Sequence, residues 1–487
     1  MSPPLLLGID AGTTAVKAAV FDGELRPVAA ARRPVALTHP APGLVEQDPE
    51  LILEAVVDAV AEVLEAVDAR AVIAAGLDHQ GESVLAWDAS SGRALTPVIV
   101  WQDKRHEALL AGIDEEVCER SGLPLDPYFS AGRLAWMLAH DGPVRRARDA
   151  GSLRLGTVDA FLTDRLGARF ATDLSTASRT QLLALGGRDW DERLLAEFGL
   201  RREWLPPVGP TFGSLGELRS ERWPQALSLT AQLVDQQAAL VGAGAIRPGE
   251  AKATYGTGVF VLGRTEGPQR AGGLLPTVGW AAPDAGGTVG EVAYALEGGV
   301  FAAGALLDWL ADDLGLAADA PSLAASAARV PDSAGVMILP ALAGLGAPWW
   351  RPTAHGVIAG LHAGVGPAHI ARAALEAIAA RVADVVEAMA AVAPVASLRV
   401  DGGLTGEPTL LQLQADAIGL PLIVGPVDTT VLGAAMLAGV GAGLFASVEE
   451  AALRLPPGRV LDPLCTKEER RRARERWRAF VAAGAAL

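Results

Sequence analysis

Cysteine is nearly absent: Cys118 and Cys465 are the only two in 487 residues, and they stand far apart. Two such residues build neither a disulfide framework nor a zinc site with the usual cysteine spacing. They fit a reducing cytosol, so a cytoplasmic location is expected. No pair of the seven histidines has the spacing of metal ligands. Basic charge is also short. A formal net charge of -16 repels nucleic acid and anionic membrane, and neither is an expected partner. An acidic total does not exclude an anionic ligand, because local backbone N–H groups still bind phosphate. The opening Met-Ser-Pro-Pro and its three leucines lack a basic n-region and a long apolar h-region, so no signal peptide is expected. A Walker A loop and a Gly-x-Gly-x-x-Gly after a strand are missing too, which removes the two best-known nucleotide loops.

What is present is a well-filled chain. Half of the residues are apolar and a fifth are charged, which excludes a disordered protein; the length suits two large domains. The stretch 431–448 carries no charge and reaches the length of a membrane span. It is rich in Ala and Gly, and Asp428-Thr429-Thr430 precedes it as a helix start. A buried, closely packed helix is therefore expected, without integral membrane contact.

The chain opens on an apolar run, Leu5 to Ile9, then Asp10-Ala11-Gly12-Thr13-Thr14, then a returning strand from Val16 to Phe21. A helix is expected over 49–67 and a strand over 71–77. A second hairpin of the same kind lies far downstream: residues 251–255, then Gly256-Thr257-Gly258, then 259–262. Two Gly-Thr hairpins, one opening each half, indicate a hidden duplication. Ile246-Arg247-Pro248-Gly249 is the natural boundary, giving domains 1–247 and 248–487. A late strand, 398–400, ends in Asp401-Gly402-Gly403. Strands alternate with helices, as in α/β layers. The charged stretch 467–477 reads as a solvated helix face without a function.

Phosphate needs N–H donors close to the backbone; Gly permits that approach and Thr adds a hydroxyl. Three turns offer this: Gly12-Thr13-Thr14, Gly256-Thr257-Gly258 and Gly402-Gly403. Each alone is ordinary hairpin chemistry. Asp10, at the end of a buried strand, suits Mg²⁺ held on phosphates or is a turn-forming Asp. Asp235 opens a small-residue helix, as an N-cap or as the general base of a phosphoryl transfer. Glu82, after Asp78-His79-Gln80-Gly81, is a strand-end ligand for hydroxyls or part of a polar loop. Trp101 packs against the C–H face of a polyol or belongs to the core.

Together these segments resemble a known family. Ile-Asp-Ala-Gly-Thr-Thr at 9–14, Val-Trp-Gln-Asp at 100–103, Gly-Leu-Pro-Leu-Asp-Pro-Tyr-Phe-Ser at 122–130 and Ala-Ser-Arg-Thr at 177–180 occur in the order of the FGGY carbohydrate kinases. Asp-Gln-Gln-Ala-Ala-Leu at 235–240, Thr-Tyr-Gly-Thr-Gly at 254–258, Ala-Leu-Glu-Gly at 295–298, Gly-Leu-Gly-Ala-Pro-Trp-Trp at 344–350, Val-Asp-Gly-Gly at 400–403 and Leu-Gly-Ala-Ala at 432–435 continue the series. The resemblance covers almost the whole chain and is closest to the glycerol-phosphorylating branch. It implies an α/β fold of two actin-like, ribonuclease-H-like domains with an ATP and substrate cleft between them. It implies ATP and Mg²⁺ as cofactors and transfer of phosphate to a hydroxyl of a small polyol or sugar, glycerol first, a longer polyol or ketose second. A homodimer is left open. An actin-like ATPase or sugar sensor without kinase activity is the remote alternative. The resemblance makes Asp235 the base and Asp10 the metal ligand. Gly81, Glu82, Trp101, Tyr128, Asp235, Gln236 and Phe260 fall at substrate positions. Thr13, Thr14, Lys17, Gly256, Thr257, Gly304, Asp308, Gly403, Leu404 and Glu407 fall at nucleotide positions.

Four positions depart from the family pattern. Gly81 replaces an Arg that binds glycerol hydroxyls; loss of a charged donor costs ~1.5–3 kcal/mol. Empty volume is expected there, open to a longer substrate or to another side chain such as His79. Lys17 replaces an Arg, keeping charge but losing the fork. Asp308 and Glu407 stand where Gln and Asn are usual, so an altered adenine contact is expected.

Overall fold

The computed structural model describes residues 3–485; Met1 and Ser2 of the N-terminal stretch read above, and the last two residues, lie outside it. The chain forms two compact units. The first takes the described residues up to Ile246, Pro276–Tyr294 and Thr429–Leu455; the second takes Arg247–Leu275, Ala295–Asp428 and the described residues from Pro456 on. The passage at Ile246 lies where the turn residues mark it. A single division at 247/248, however, assigns 276–294 and 429–455 to the C-terminal half, whereas both pack with the first unit.

The first unit is built on strands β1 (Leu5–Ala11), β2 (Ala15–Phe21), β3 (Pro27–Pro34), β4 (Val72–His79) and β5 (Leu227–Val234), with helix α1 (Pro49–Glu65) between β3 and β4. β1, β2 and β3 run antiparallel in turn. β4 lies parallel to β1, and β5 parallel to β4. The sheet order is therefore β3-β2-β1-β4-β5. α1 begins at Pro49, capped by the Asp48 side chain, and buries Ile52, Val56, Val60 and Val63. Further along lie helix α2 (Ser130–His140) and helix α3 (Asp235–Gly242), which starts directly after β5.

The apolar stretch 431–448, expected to be one packed helix, forms the helix Thr429–Gly441, ten of whose residues are buried, and then turns before a separate short helix that starts at Val448. The composition of Thr429–Gly441 has a steric cause. A Cβ at Gly433 would lie 1.9 Å from the Ala238 carbonyl oxygen, and a Cβ at Gly76 would lie 2.1 Å from that of Ala434. Only glycine lets this helix approach α3 and β4 so closely. No helix among the described residues is long and apolar enough to cross a membrane.

The second unit repeats the plan. Strands β6 (Glu250–Tyr255) and β7 (Val259–Thr265) form the hairpin, β8 (Ser397–Asp401) lies parallel to β6, and β9 (Leu422–Val424) parallel to β8. Outside β7 comes the strand Val289–Val300, whose last residues belong to this unit. This is the β3-β2-β1-β4-β5 order of the first unit, so the two Gly-Thr hairpins occupy equivalent places. Helices α4 (Pro367–Ala390) and α5 (Pro408–Ile418) bury Ala371, Leu375, Ile378, Leu410 and Leu411 in one core. A short strand, β10 (Arg459–Leu461), then leads to helix α6 (Lys467–Gly484).

α6 corrects the reading of 467–477 as a wholly solvated face. Arg474 and Trp477 are buried. The Asp384 carboxylate accepts hydrogen bonds from Arg381 (2.7 Å), Trp349 Nε1 (3.0 Å), Trp477 Nε1 (3.1 Å) and Arg474. Arg474 also donates to Glu387. One buried carboxylate thus ties α4 to α6. Removing one member of a buried charge pair typically costs about 3–5 kcal/mol because the other is left uncompensated. Asp384→Ala is expected to lower the unfolding free energy of the second unit by about that amount, read by denaturant titration. A loss below ~1 kcal/mol would show that the network does not fasten α6.

Candidate active site

Parallel pairing of β1 with β4 puts Asp10 opposite Asp78. Pairing of β4 with β5 puts Asp78 opposite Leu233, so Asp235 emerges two residues on. Across the β1–β2 hairpin, Asp10 is opposite Lys17. Three carboxyl groups and one ammonium group therefore collect at one end of the sheet. Asp10 is buried and accepts a hydrogen bond from Thr430 Oγ1 at 2.9 Å. Asp235 is the first residue of α3 rather than its cap: the cap position is Val234, which makes no side-chain cap. The Asp235 carboxylate accepts from the Gln236 N–H at 2.6 Å. The N-cap reading of Asp235 is thus corrected.

Asp78 is wholly buried, and no N–H or O–H group of the protein donates to either of its oxygens. The hydrogen bond open to it runs to Asp10 and needs a proton on one of the two carboxyls. Burial first, then the Asp10 and Asp235 carboxylates, push its pKa well above the ordinary value; Lys17 opposes this.

Beside this cluster lies a group of aromatic and charged side chains. Glu82 is buried with φ of +57°, a left-handed conformation unusual for a residue with a side chain. Its carboxylate accepts from Arg179 Nε at 2.7 Å, and both side chains are buried. The Arg179 guanidinium lies 5.7 Å from the centre of the Tyr128 ring. Tyr128 meets Trp101 edge to face at 5.6 Å. Trp101 Nε1 donates to Thr13 Oγ1 at 3.1 Å, and its backbone N–H donates to Ser83 Oγ. Gln80 donates to Gln47, whose amide donates to the Thr13 carbonyl. The loop after β4 and the first Gly-Thr turn are thus joined by side-chain hydrogen bonds.

Two expectations about this group fail. A Cβ at Gly81 would lie 2.8 Å from Val234 Cγ1, so the expected empty volume is filled where a side chain would leave the backbone. His79 does not replace a lost donor. It is wholly buried, with Nδ1 2.9 Å from the Gln80 carbonyl and Nε2 3.0 Å from Thr176 Oγ1.

The second unit carries its own group of candidate residues. At the tip of β6–β7 the Gly256 N–H donates to the Gly258 carbonyl at 2.8 Å. The N–H groups of Ala303 and Gly304 donate to the carbonyls of Thr257 and Gly256, so the helix Gly304–Asp308 starts against this turn. Gly402 has φ of +95°, and a Cβ there would lie 2.3 Å from the Tyr255 carbonyl oxygen. Gly403 and Leu404 begin a short 3-10 turn, and Glu407 then occupies the N-cap position of α5 without a side-chain cap. Burial raises the pKa of Glu407. Asp308 is exposed at the end of its helix, and Phe260 is half-buried on β7. Gly256, Thr257, Gly304, Gly403, Leu404 and Glu407 thus stand on turns and helix starts grouped around the ends of β6 and β8.

Sequence reasoning missed three residues. Asp78 is the penultimate residue of β4, Arg179 lies inside the Ala-Ser-Arg-Thr motif, and Arg133 is the lone cation in the first turns of α2. A single charge in an apolar run was the available signal for Arg133; Asp78 and Arg179 lie among polar neighbours that hide them.

The chain matches the models of the FGGY family of carbohydrate kinases, the N-terminal domain over residues 5–242 and the C-terminal domain over 251–442. It belongs to that family, and its fold is two actin-like domains. It is a phosphotransferase acting on a hydroxyl group. A glycerol kinase from Aromatoleum aromaticum is 43% identical over 491 residues, covering 98% of each chain. Another, from Citrifermentans bemidjiense, is 41% identical over 98% of each. The crystal structure of Plasmodium falciparum glycerol kinase with ADP is similar with a TM-score of 0.92 at 28% identity, covering 99% of this chain and 98% of that one.

Asp78 gives a test of the strand-end electrostatics. Its native-state pKa is raised, so the folded protein holds a proton that the unfolded chain releases above the ordinary value of 3.8. The associated stability is full below pH 3.8 and is lost as pH rises toward the native value. Asp78→Asn keeps the shape without the charge. It is expected to be more stable than wild type at pH 8 by more than ~1 kcal/mol and nearly equal at pH 4. Denaturant unfolding at both values reads this; a variant less stable at pH 8 would overturn it.

Proposed function

We propose that this chain is an ATP- and Mg²⁺-dependent polyol kinase whose acceptor is glycerol and whose product is glycerol 3-phosphate. The observation that carries the reading is the half-buried Asp235 carboxylate beside the Asp10 and Asp78 strand ends, in the same unit as the Glu82, Trp101 and Tyr128 group. The glycerol kinases at 41–43% identity over nearly the whole chain support the choice of acceptor. Xylulose kinases share the fold at no more than 24% identity, which supports no substrate.

In this reading Glu82, Tyr128, Asp235 and Gln236 take the acceptor hydroxyls, while Trp101 and Phe260 cover its carbon chain. Gly81 gives no side-chain donor, and Val234 fills the space beside it, which removes the room that favoured a longer acceptor. Thr13, Thr14, Lys17, Gly256, Thr257, Gly304, Asp308, Gly403, Leu404 and Glu407 take the nucleotide. Asp235 accepts the proton of the attacking hydroxyl as its oxygen bonds to the γ-phosphorus; the bond to the β-phosphate oxygen breaks, and ADP leaves with that electron pair. Asp10 holds the Mg²⁺. Among the described residues no three His, Cys, Asp or Glu side chains group as a metal cage. Mg²⁺ is commonly held by one or two carboxylates, with water and phosphate oxygens as its other ligands. Mg²⁺, when bound, neutralises phosphate charge.

ADP release with ATP and Mg²⁺ across glycerol, erythritol, threitol, xylitol, dihydroxyacetone and the ketopentoses tests the acceptor. Glycerol is expected to give the highest kcat/KM; a clear win for a longer acceptor overturns the assignment of glycerol. Asp235→Asn is expected to keep the fold and the glycerol KM within a few-fold while kcat falls by about 10²–10⁴. Near-normal turnover would remove Asp235 from the role of base.

A further inference from the structure

We infer that Arg133 is the positioning residue of the acceptor pocket, holding its three walls with one guanidinium group. Arg133 lies on α2 and is wholly buried. Its hydrogen bonds go to backbone carbonyls alone. Nη1 donates to the carbonyls of Glu82 (3.0 Å) and Tyr128 (3.2 Å). Nη2 donates to those of Pro127 (2.6 Å), Tyr128 (3.1 Å) and Trp101. These acceptors belong to three separate stretches of chain: the loop after β4, the segment around Trp101, and the turn before α2. Each stretch presents one of the residues Glu82, Trp101 and Tyr128. Ser130 Oγ adds a second donor to the Glu82 carbonyl at 3.0 Å, where the backbone is held at its positive φ.

A buried cation without a hydrogen-bonded carboxylate is costly. Burial lowers the Arg133 pKa to about 10, and the nearby Glu82 and Asp103 charges counter this. A guanidinium also suits the task by shape. Its planar fork reaches four carbonyls at once, while an ammonium has three donors around one point. The inference deepens the polyol kinase reading and rests on it: Arg133 touches no reacting atom, and sets acceptor affinity through the backbones of Glu82, Trp101 and Tyr128.

The test is steady-state kinetics of the full chain, wild type beside Arg133→Lys and Arg133→Ala, with glycerol and ATP each varied. In Arg133→Lys the glycerol KM is expected to rise at least tenfold, with the ATP KM changed by less than twofold. In Arg133→Ala added guanidinium ion is expected to restore part of the lost kcat/KM for glycerol, and an equal concentration of ammonium is not. Glycerol and ATP KM values that rise together, or an unchanged glycerol KM in a folded Arg133→Lys protein, overturn the positioning role. If Arg133→Ala does not fold, the lysine variant alone decides. Absence of glycerol-dependent turnover in wild type defeats the function reading instead, so the two failures are separable.

Discussion

Parallel pairing at the ends of β1, β4 and β5 is the constraint from which the first unit's chemistry follows. Because β1 and β4 run in the same direction and in register, Asp10 and Asp78 arrive side by side. Because β5 joins β4 in the same sense, the next helix begins with Asp235 beside them. These carboxyls meet in surroundings where burial removes the water that would screen them, with Lys17 as a nearby cation. Such a concentration of like charge is unfavourable in an empty fold. It becomes favourable when cations and transferable protons are part of the working state, as in phosphoryl transfer.

The same strand order recurs in the second unit, but its strand ends are furnished differently. Where the first unit gathers Asp10, Asp78 and Asp235, the second keeps one buried strand-end carboxyl, Asp401 of β8, beside the turns Gly256 to Gly258 and Gly402 with its positive φ. Gly402 is required sterically, since any Cβ would run into the Tyr255 carbonyl. The duplicated scaffold has thus been specialised by what terminates its strands. One copy gathers three acids at its strand ends, the other one acid with glycine turns and small residues.

The elements were largely legible because their signals are local. Both hairpins and β8 follow from apolar runs that end in Gly or Gly-Thr turns, and α1 from its broad apolar side; their observed bounds lie within three residues of the expected ones. The Thr429–Gly441 helix was legible as buried from its lack of charge, though the close approach that requires Gly433 was not. The burial of Arg474 and Trp477 could not be read, because α6 is dense in charge and its partner, Asp384, lies 90 residues earlier. Gly81 failed for a similar reason: the space beside a glycine is set by whichever strand packs there, and Val234 comes from a distant one. The return of 429–455 to the first unit is likewise a property of packing that no local pattern carries.

The buried charges of the first unit form a graded set. His79 is held between Gln80 and Thr176 and belongs to the core. Glu82 and Arg179 neutralise each other, so the pair is retained at modest cost if both stay bonded, and at high cost if either is removed. Arg133 has carbonyls but no bonded carboxylate, and Asp78 has no protein donor at all. Cost therefore rises from His79 to Asp78, and the costliest group is the one that pairs with Asp10 at the strand ends. A fold selected for stability alone has no reason to place its least satisfied acid there; apolar residues of similar volume would serve it better. The arrangement makes sense when the missing partners arrive with the reactants, so that the unsatisfied groups are features of the waiting enzyme rather than of the complex.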